Sequence, residues 1–127
     1  MIVRRSHEGN MNMWVVLNDA FFSIVQNRDD KDQFVVRARF EGDIEKVFDV
    51  DAIVSENSDY RFRAFLPKSV VKEMLNQEVD RIDYDNFKNS VDDDVRHDVY
   101  TGIWAVLFNF QQSMFPKQKQ RWSLDYD

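Results

Sequence analysis

Two arginine pairs are the residues of this sequence whose chemistry and spacing are most informative. One residue separates Arg37 from Arg39, and one separates Arg61 from Arg63, each time among apolar or aromatic neighbours. A strand sends alternate side chains to opposite faces, so each pair should direct its guanidinium groups to one side and its apolar neighbours to the other. If both strands lie in one sheet, four planar cations share a surface that suits phosphate or carboxylate groups. The pairs therefore predict a site for an anion or an acidic partner.

A polar and aromatic connector, residues 83–88, supplies two further candidates for this site. Tyr84 and Lys88 are predicted to lie at the edge of the arginine site. A simpler alternative is that Tyr84 and Phe87 anchor the connector to the core, while the neighbouring aspartates cap backbone or pair with arginine. The arginines also have an alternative, in which nearby acids neutralise an ordinary solvated face.

Other chemistries find little support in the sequence. The chain has no cysteine, and its histidines are His7 in the N-terminal segment and His97. Asp93 and His97 have helical spacing, but a divalent metal needs more ligands than these two. No serine lies in a nucleophile elbow, and the paired carboxylates lie where turns and helix caps explain them. We therefore predict a non-enzymatic protein with no catalytic residue, metal or cofactor.

The charge balance narrows the range of partners. The 127 residues carry a net charge of −6, which disfavours non-specific attraction to nucleic acid or anionic membrane. The aromatic residues that alternate with the arginines are expected on the opposite face, which further disfavours stacking on single strands. No apolar run approaches the roughly 20 residues of a membrane span, and the N-terminus lacks the apolar stretch of a signal peptide. A cytoplasmic location is predicted.

Hydrophobic periodicity predicts an α+β fold with an antiparallel sheet of about five strands and helices on one face. A split β-α-β arrangement of ferredoxin-like kind, with an added N-terminal hairpin, fits the order of elements. Asp43 is the expected cap of a short helix, and Ser69 the cap of a longer one. The last helix, which ends near Gln112, has so many apolar residues that it is predicted to be the buried central packing element. The strands are predicted at residues 13–17, 21–26, 33–41, 52–55 and 60–66.

The predicted organisation is a flexible N-terminal arm, residues 1–12, a single domain, residues 13–112, and a C-terminal tail, residues 113–127. The tail contains Trp122, Leu124 and Tyr126, which we expect to pack on the domain or on a neighbour unless the tail is only partly ordered.

Several motifs in a fixed order resemble an uncharacterised family of small bacterial and phage proteins. They are Trp14 with Phe21-Phe22-Ser23-Ile24-Val25, then Val36-Arg37-Ala38-Arg39, Asp59-Tyr60-Arg61-Phe62-Arg63-Ala64, Ile82-Asp83-Tyr84-Asp85-Asn86-Phe87-Lys88 and Tyr100-Thr101-Gly102-Ile103-Trp104. The resemblance covers about residues 13–112 and implies a compact unit without implying an activity. The arm and the tail depart from the pattern.

Two functional hypotheses follow. The first is an interaction protein that binds a protein partner through the arginine-bearing face or the C-terminal tail, and the resemblance extends it to an accessory or host-interfering role. The second is a binder or enzyme for a small phosphorylated or carboxylated compound that the arginines clamp. A homodimer is compatible with either.

Overall fold

The computed structural model describes residues 12–115, which fall into two compact units, residues 12–82 and residues 83–115. Of the predicted arm, residues 1–12, only Asn12 is among the described residues, and of the predicted tail, residues 113–127, only residues 113–115 are. The single domain stays a prediction. In chain order the elements are β1 (Asn12–Val16), β2 (Phe21–Gln26), β3 (Gln33–Ala38), α1 (Asp43–Phe48), β4 (Ile53–Val54), β5 (Phe62–Pro67), α2 (Lys68–Asp80), a short 3-10 turn (Lys88–Ser90) and α3 (Asp94–Met114).

The first unit is built on a five-stranded sheet in the order β1-β2-β3-β5-β4, and every neighbouring pair is antiparallel. This confirms the predicted α+β fold. β3 and β4 both run antiparallel to β5, which lies between them, and α1 joins them, so they form a split β-α-β unit. The ferredoxin-like arrangement is not confirmed. Within residues 12–115 no strand follows α2, and the place beside β3 belongs to β2.

The core of this unit lies between one face of the sheet and the helices α1 and α2. Alternate residues of each central strand point into it, because side chains along a strand have a period of two. Phe22 and Val36 are fully buried there, together with Ile44 of α1 and Val71 of α2. The remaining buried members are Ala20, Ile24, Ala38, Ala64, Leu66 and Met74. The prediction of helices on one face is confirmed for α1 and α2.

The ends of α1 and α2 differ from the predicted caps. Gly42 is the N-cap of α1, with a φ of 92° in the left-handed region that glycine adopts without strain. Asp43 is buried, and its carboxylate accepts the backbone N–H of Phe21 at 3.0 Å, so it ties α1 to β2 rather than capping the helix. α2 begins at Lys68 directly after β5, so Ser69 lies inside the helix and does not cap it.

The second unit consists of the connector, the 3-10 turn and α3. Asp93 caps α3, because its carboxylate accepts the backbone N–H of Arg96 at 2.8 Å. The prediction that α3 is a buried central element is wrong. Its predicted apolar stripe is largely exposed, with Val106 69% and Phe110 62% accessible. Periodicity identifies an apolar helix face but does not identify what covers that face. In the part of the chain that the structure describes, no helix is long and apolar enough to cross a bilayer.

Candidate functional site

The candidate site lies on the sheet face opposite α1 and α2, which we call the arginine face. One row of directly paired residues crosses all five strands on this face: Trp14, Ser23, Arg37, Arg63 and Ile53. Arg37 and Arg63 are therefore cross-strand partners, as the shared-sheet hypothesis requires. The pairing places two guanidinium groups on neighbouring strands at the middle of the sheet.

Hydroxyl and carbonyl groups hold these two arginines, and carboxylates do not. Arg37 donates from Nη2 to the Ser23 hydroxyl at 2.7 Å, while Arg63 donates to the Ser58 hydroxyl and to the Tyr60 carbonyl oxygen. Both Nε atoms are buried without a hydrogen-bond acceptor. No carboxylate of residues 12–115 lies within 4.0 Å of either guanidinium group. The alternative in which nearby acids neutralise these arginines therefore does not describe this pair.

Tyr60 is the aromatic centre of the arginine cluster. The guanidinium carbons of Arg37 and Arg39 lie 4.5 Å and 4.1 Å from its ring centroid, within cation–π range. The prediction that Tyr60 points away from the arginines is wrong, because β5 begins only at Phe62 and strand alternation does not reach back to Tyr60.

The Tyr60 phenol is electrostatically coupled to this cluster. Burial disfavours its ionised form, but hydrogen bonds with Ser23 and Arg39 and the positive charges of Arg39 and Arg37 outweigh burial. The pKa of Tyr60 therefore lies below its usual value of 10.0.

The remaining arginine of the predicted set, Arg61, makes no cation–π contact with the Tyr60 ring and shares a groove with Arg39. Arg39 and Arg61 line a groove of about 380 Å³ together with Ser58, Phe62, Glu41 and Asp59. Arg39 also donates to the Asp59 carbonyl oxygen at 3.2 Å. Arg39 lies just outside β3, which ends at Ala38 and not at Glu41 as predicted, and Arg61 lies just before β5, which begins at Phe62. The structure thus gathers Arg37, Arg39 and Arg63 around Tyr60 and places Arg61 in a groove of mixed charge.

Exposed apolar side chains flank the arginines on the same face. Trp14 is 59% accessible and packs edge-on against Phe21, with ring centroids 5.5 Å apart. Ile53 closes the opposite end of the row, and Phe65 lies one step further along β5 on the same side as Arg63. Arginine interleaved with exposed aromatic and aliphatic residues is the composition typical of protein-binding surfaces.

The sequence-based prediction missed Ser23 and Ser58 as partners of the arginines. Ser23 carried a signal, since it is the single polar residue among the first five of the Phe21–Gln26 strand and alternates with the core residues Phe22 and Ile24. Ser58 carried none, because a turn serine looks the same whether or not an arginine reaches it.

Tyr84 and Lys88 belong to the second unit. The Tyr84 ring lies 5.9 Å from that of Phe87, which stacks on Tyr100 of α3, so these aromatics fasten the connector to the helix. The Lys88 ammonium lies 4.1 Å from the ring centroid of Trp104. Tyr84 and Phe87 thus anchor the connector to α3, whereas the anchoring alternative placed them against the core. The role of Tyr84 and Lys88 at the edge of the arginine site stays a prediction.

No family model matches the chain, and no match was found among curated proteins or solved structures. The resemblance to small bacterial and phage proteins therefore stays a prediction.

Proposed function

We propose that this protein is a non-enzymatic interaction protein that binds an acidic protein partner through the arginine face. The observation that carries the proposal is the Arg37–Arg63 pair. Like charges directly opposite on neighbouring strands destabilise a sheet, and no carboxylate of the described residues lies within 4.0 Å of either guanidinium group. A partner that brings carboxylates to this position relieves the repulsion and forms charge-assisted hydrogen bonds.

The geometry of the cluster also supports recognition. Hydrogen bonds to Ser23 and Ser58 restrain the two guanidinium groups, which lowers the entropy lost on binding. Trp14 and Phe65 supply exposed apolar area beside the charges. The overall charge of −6 repels other acidic proteins from the rest of the surface, so the local positive patch orients the encounter.

Nucleic acid is a weaker candidate for the same surface. Tyr60, the aromatic residue at the centre of the arginines, is only 4% accessible and already contacts Arg37 and Arg39, so a base has no open ring to stack on there. The negative net charge acts in the same direction. A cytoplasmic, accessory or host-interfering role in a bacterium or its phage belongs to this proposal through the resemblance of the motifs.

The test uses a labelled polyglutamate peptide as an acidic probe and measures fluorescence anisotropy. The wild-type chain should bind with an affinity that falls as salt rises, and Arg37→Gln/Arg63→Gln should weaken binding by about tenfold or more. The matched control is Arg28→Gln/Lys31→Gln, which removes the same charge from two exposed positions in a turn. Equal losses in the two double variants would show that only net charge matters and would refute the proposal.

The groove beside Arg39 and Arg61 supports a second candidate, a small phosphorylated or carboxylated ligand. Its volume of about 380 Å³ lies within the range of small-molecule sites, although Glu41 and Asp59 on its wall repel anions. A thermal-shift screen against nucleotides and sugar phosphates separates the two candidates. A shift that Arg61→Gln abolishes supports the ligand, whereas no shift alongside polyglutamate binding supports the protein partner.

A further inference from the structure

The helix α3 carries an apolar stripe on its exposed side. Six exposed residues, Val95, Val99, Val106, Leu107, Phe110 and Met114, fall within an arc of about 120° at 100° per residue. The half-buried Ile103 lies in the same arc. A contiguous apolar strip of this length on a helix is the usual mark of a partner helix.

We propose that this stripe binds the same stripe of a second copy of the chain, as an antiparallel helix pair. The first support is the spacing of the stripe, which is symmetric about the midpoint between Trp104 and Ala105. Every stripe residue on one side of the midpoint has a stripe residue, or the small Gly102, at the same distance on the other. The equidistant pairs are 95 with 114, 99 with 110, 102 with 107, and 103 with 106. A two-fold interface requires this self-complementary pattern, in which residue i meets j and j meets i.

Charge repulsion favours the antiparallel orientation. Asp92, Asp93 and Asp94 lie at the start of α3. A parallel pair would set the two acidic runs side by side, where they repel each other. An antiparallel pair places the two runs at opposite ends of the interface and avoids this repulsion.

Gly102 provides independent support. Glycine inside a helix lowers helix stability relative to alanine, and a Cβ placed at Gly102 would meet nothing within 4 Å among residues 12–115. Packing among these described residues therefore gives no reason for the glycine. In the antiparallel pair Gly102 faces Leu107 of the second copy, where the missing side chain gives that leucine room and lets the helices approach closely.

Single cysteines test the orientation, because the chain has none of its own. Val99→Cys chains mixed with Phe110→Cys chains should form interchain disulfides under mild oxidation. Val99→Cys alone should not, since two copies of residue 99 lie about 16 Å apart along the axis of an antiparallel pair. Crosslinking of Val99→Cys alone, or no crosslinking in the mixture, would overturn the proposal.

Sedimentation measurements test the association itself. The full wild-type chain should show a concentration-dependent monomer–dimer equilibrium, and Val106→Glu should raise its dissociation constant at least about thirtyfold by placing a charge in the apolar contact. Val79→Glu on α2 is the matched control, because Val79 is 65% exposed, close to the 69% of Val106, and lies outside the stripe. A wild-type monomer at every concentration, or equal effects of the two substitutions, would refute the dimer and indicate that the stripe packs on its own chain.

Discussion

In the first unit, the same strands build two sheet faces of opposite character, one apolar and covered by helices, the other carrying arginines. On β3 and β5 the pair Val36 and Ala64 lies against the helices, and the adjacent pair Arg37 and Arg63 lies on the other side. The first pair is apolar and buried. In the second pair the two guanidinium groups repel each other, and hydroxyl and carbonyl groups accept their hydrogen bonds.

Under the proposed function, adjacent residues of one strand serve different purposes, one residue stabilising the fold and the next binding the partner. Burial of apolar area is favourable without any partner, so the helix-covered face stabilises the isolated chain. Two facing guanidinium groups contribute less to folding, because their mutual repulsion opposes their hydrogen bonds to Ser23 and Ser58. Substitutions on the two faces should therefore change different measured quantities.

The largest effect is expected from Phe22→Ala on the covered face. Phe22 is fully buried and lies 5.4 Å, centroid to centroid, from the ring of Phe48. Its truncation removes apolar contacts and leaves a cavity, so the free energy of unfolding should fall by about 3–5 kcal/mol. Urea unfolding followed by circular dichroism measures it. A loss below about 1 kcal/mol would contradict the assignment of this face as the core.

Asp43→Ala should have the next largest effect. The buried carboxylate is the polar exception within the core side of the unit, and it accepts the Phe21 N–H. Its removal leaves that buried donor without an acceptor, which should lower the free energy of unfolding by about 1–3 kcal/mol. Asp43→Asn keeps an acceptor oxygen and should cost less. Equal costs for both variants would show that the charge, and not the hydrogen bond, stabilises the junction of α1 with β2.

Arg37→Gln should change stability by less than about 1 kcal/mol, because it removes a hydrogen bond to Ser23 and a repulsion from Arg63 together. Val36→Gln is the matched variant, with the same new residue one position earlier on the covered face. It should cost about 1–3 kcal/mol or more, since it buries an amide among apolar groups. Similar unfolding midpoints for the two variants would remove the distinction between the faces.

The faces themselves were predictable from the sequence, and their details were not. Alternation along β3 and β5 assigns Val36 inward and Arg37 outward, because period two is a local property of a strand. The pairing of Arg37 with Ser23 depends on the register between β2 and β3, which the geometry of the intervening turn fixes and which alternation within either strand does not reveal. Tyr60 shows a second limit. Alternation predicts the direction of a side chain only within a strand, and Tyr60 lies two residues before the start of β5.

The helix α3 shows a third limit. Its apolar period correctly predicted a long helix, which ends at Met114 rather than Gln112. The same period wrongly predicted burial, because an apolar stripe is equally compatible with the protein's own core and with a second copy. The symmetric spacing about the helix midpoint is a property of the sequence, but it acquires meaning only once the stripe is found exposed.

The smallest effect is expected from Tyr60→Phe, and it depends on pH. The folded-state pKa of Tyr60 is below that of an unfolded tyrosine, so between these two values the unfolded chain binds more protons and stability rises with pH. Wild type should therefore gain stability relative to Tyr60→Phe as the pH rises through the folded pKa toward 10.0. Below the folded pKa the difference should be constant, because the phenol is protonated in both states.

Urea unfolding of both proteins at a series of pH values measures this difference, and Arg39→Gln sharpens it. That variant removes a hydrogen bond to the phenol and a positive charge beside it, so it should raise the pKa of Tyr60. The stability should then increase less steeply with pH. Arg61→Gln is the control, because Arg61 does not contribute to the shift. The stability difference between wild type and Tyr60→Phe could instead stay constant over the whole pH range, or Arg61→Gln could reduce its pH dependence as much as Arg39→Gln does. Either result would mean that the guanidinium groups over Tyr60 do not act on its hydroxyl, and that the electrostatic difference between the two faces does not extend to this residue.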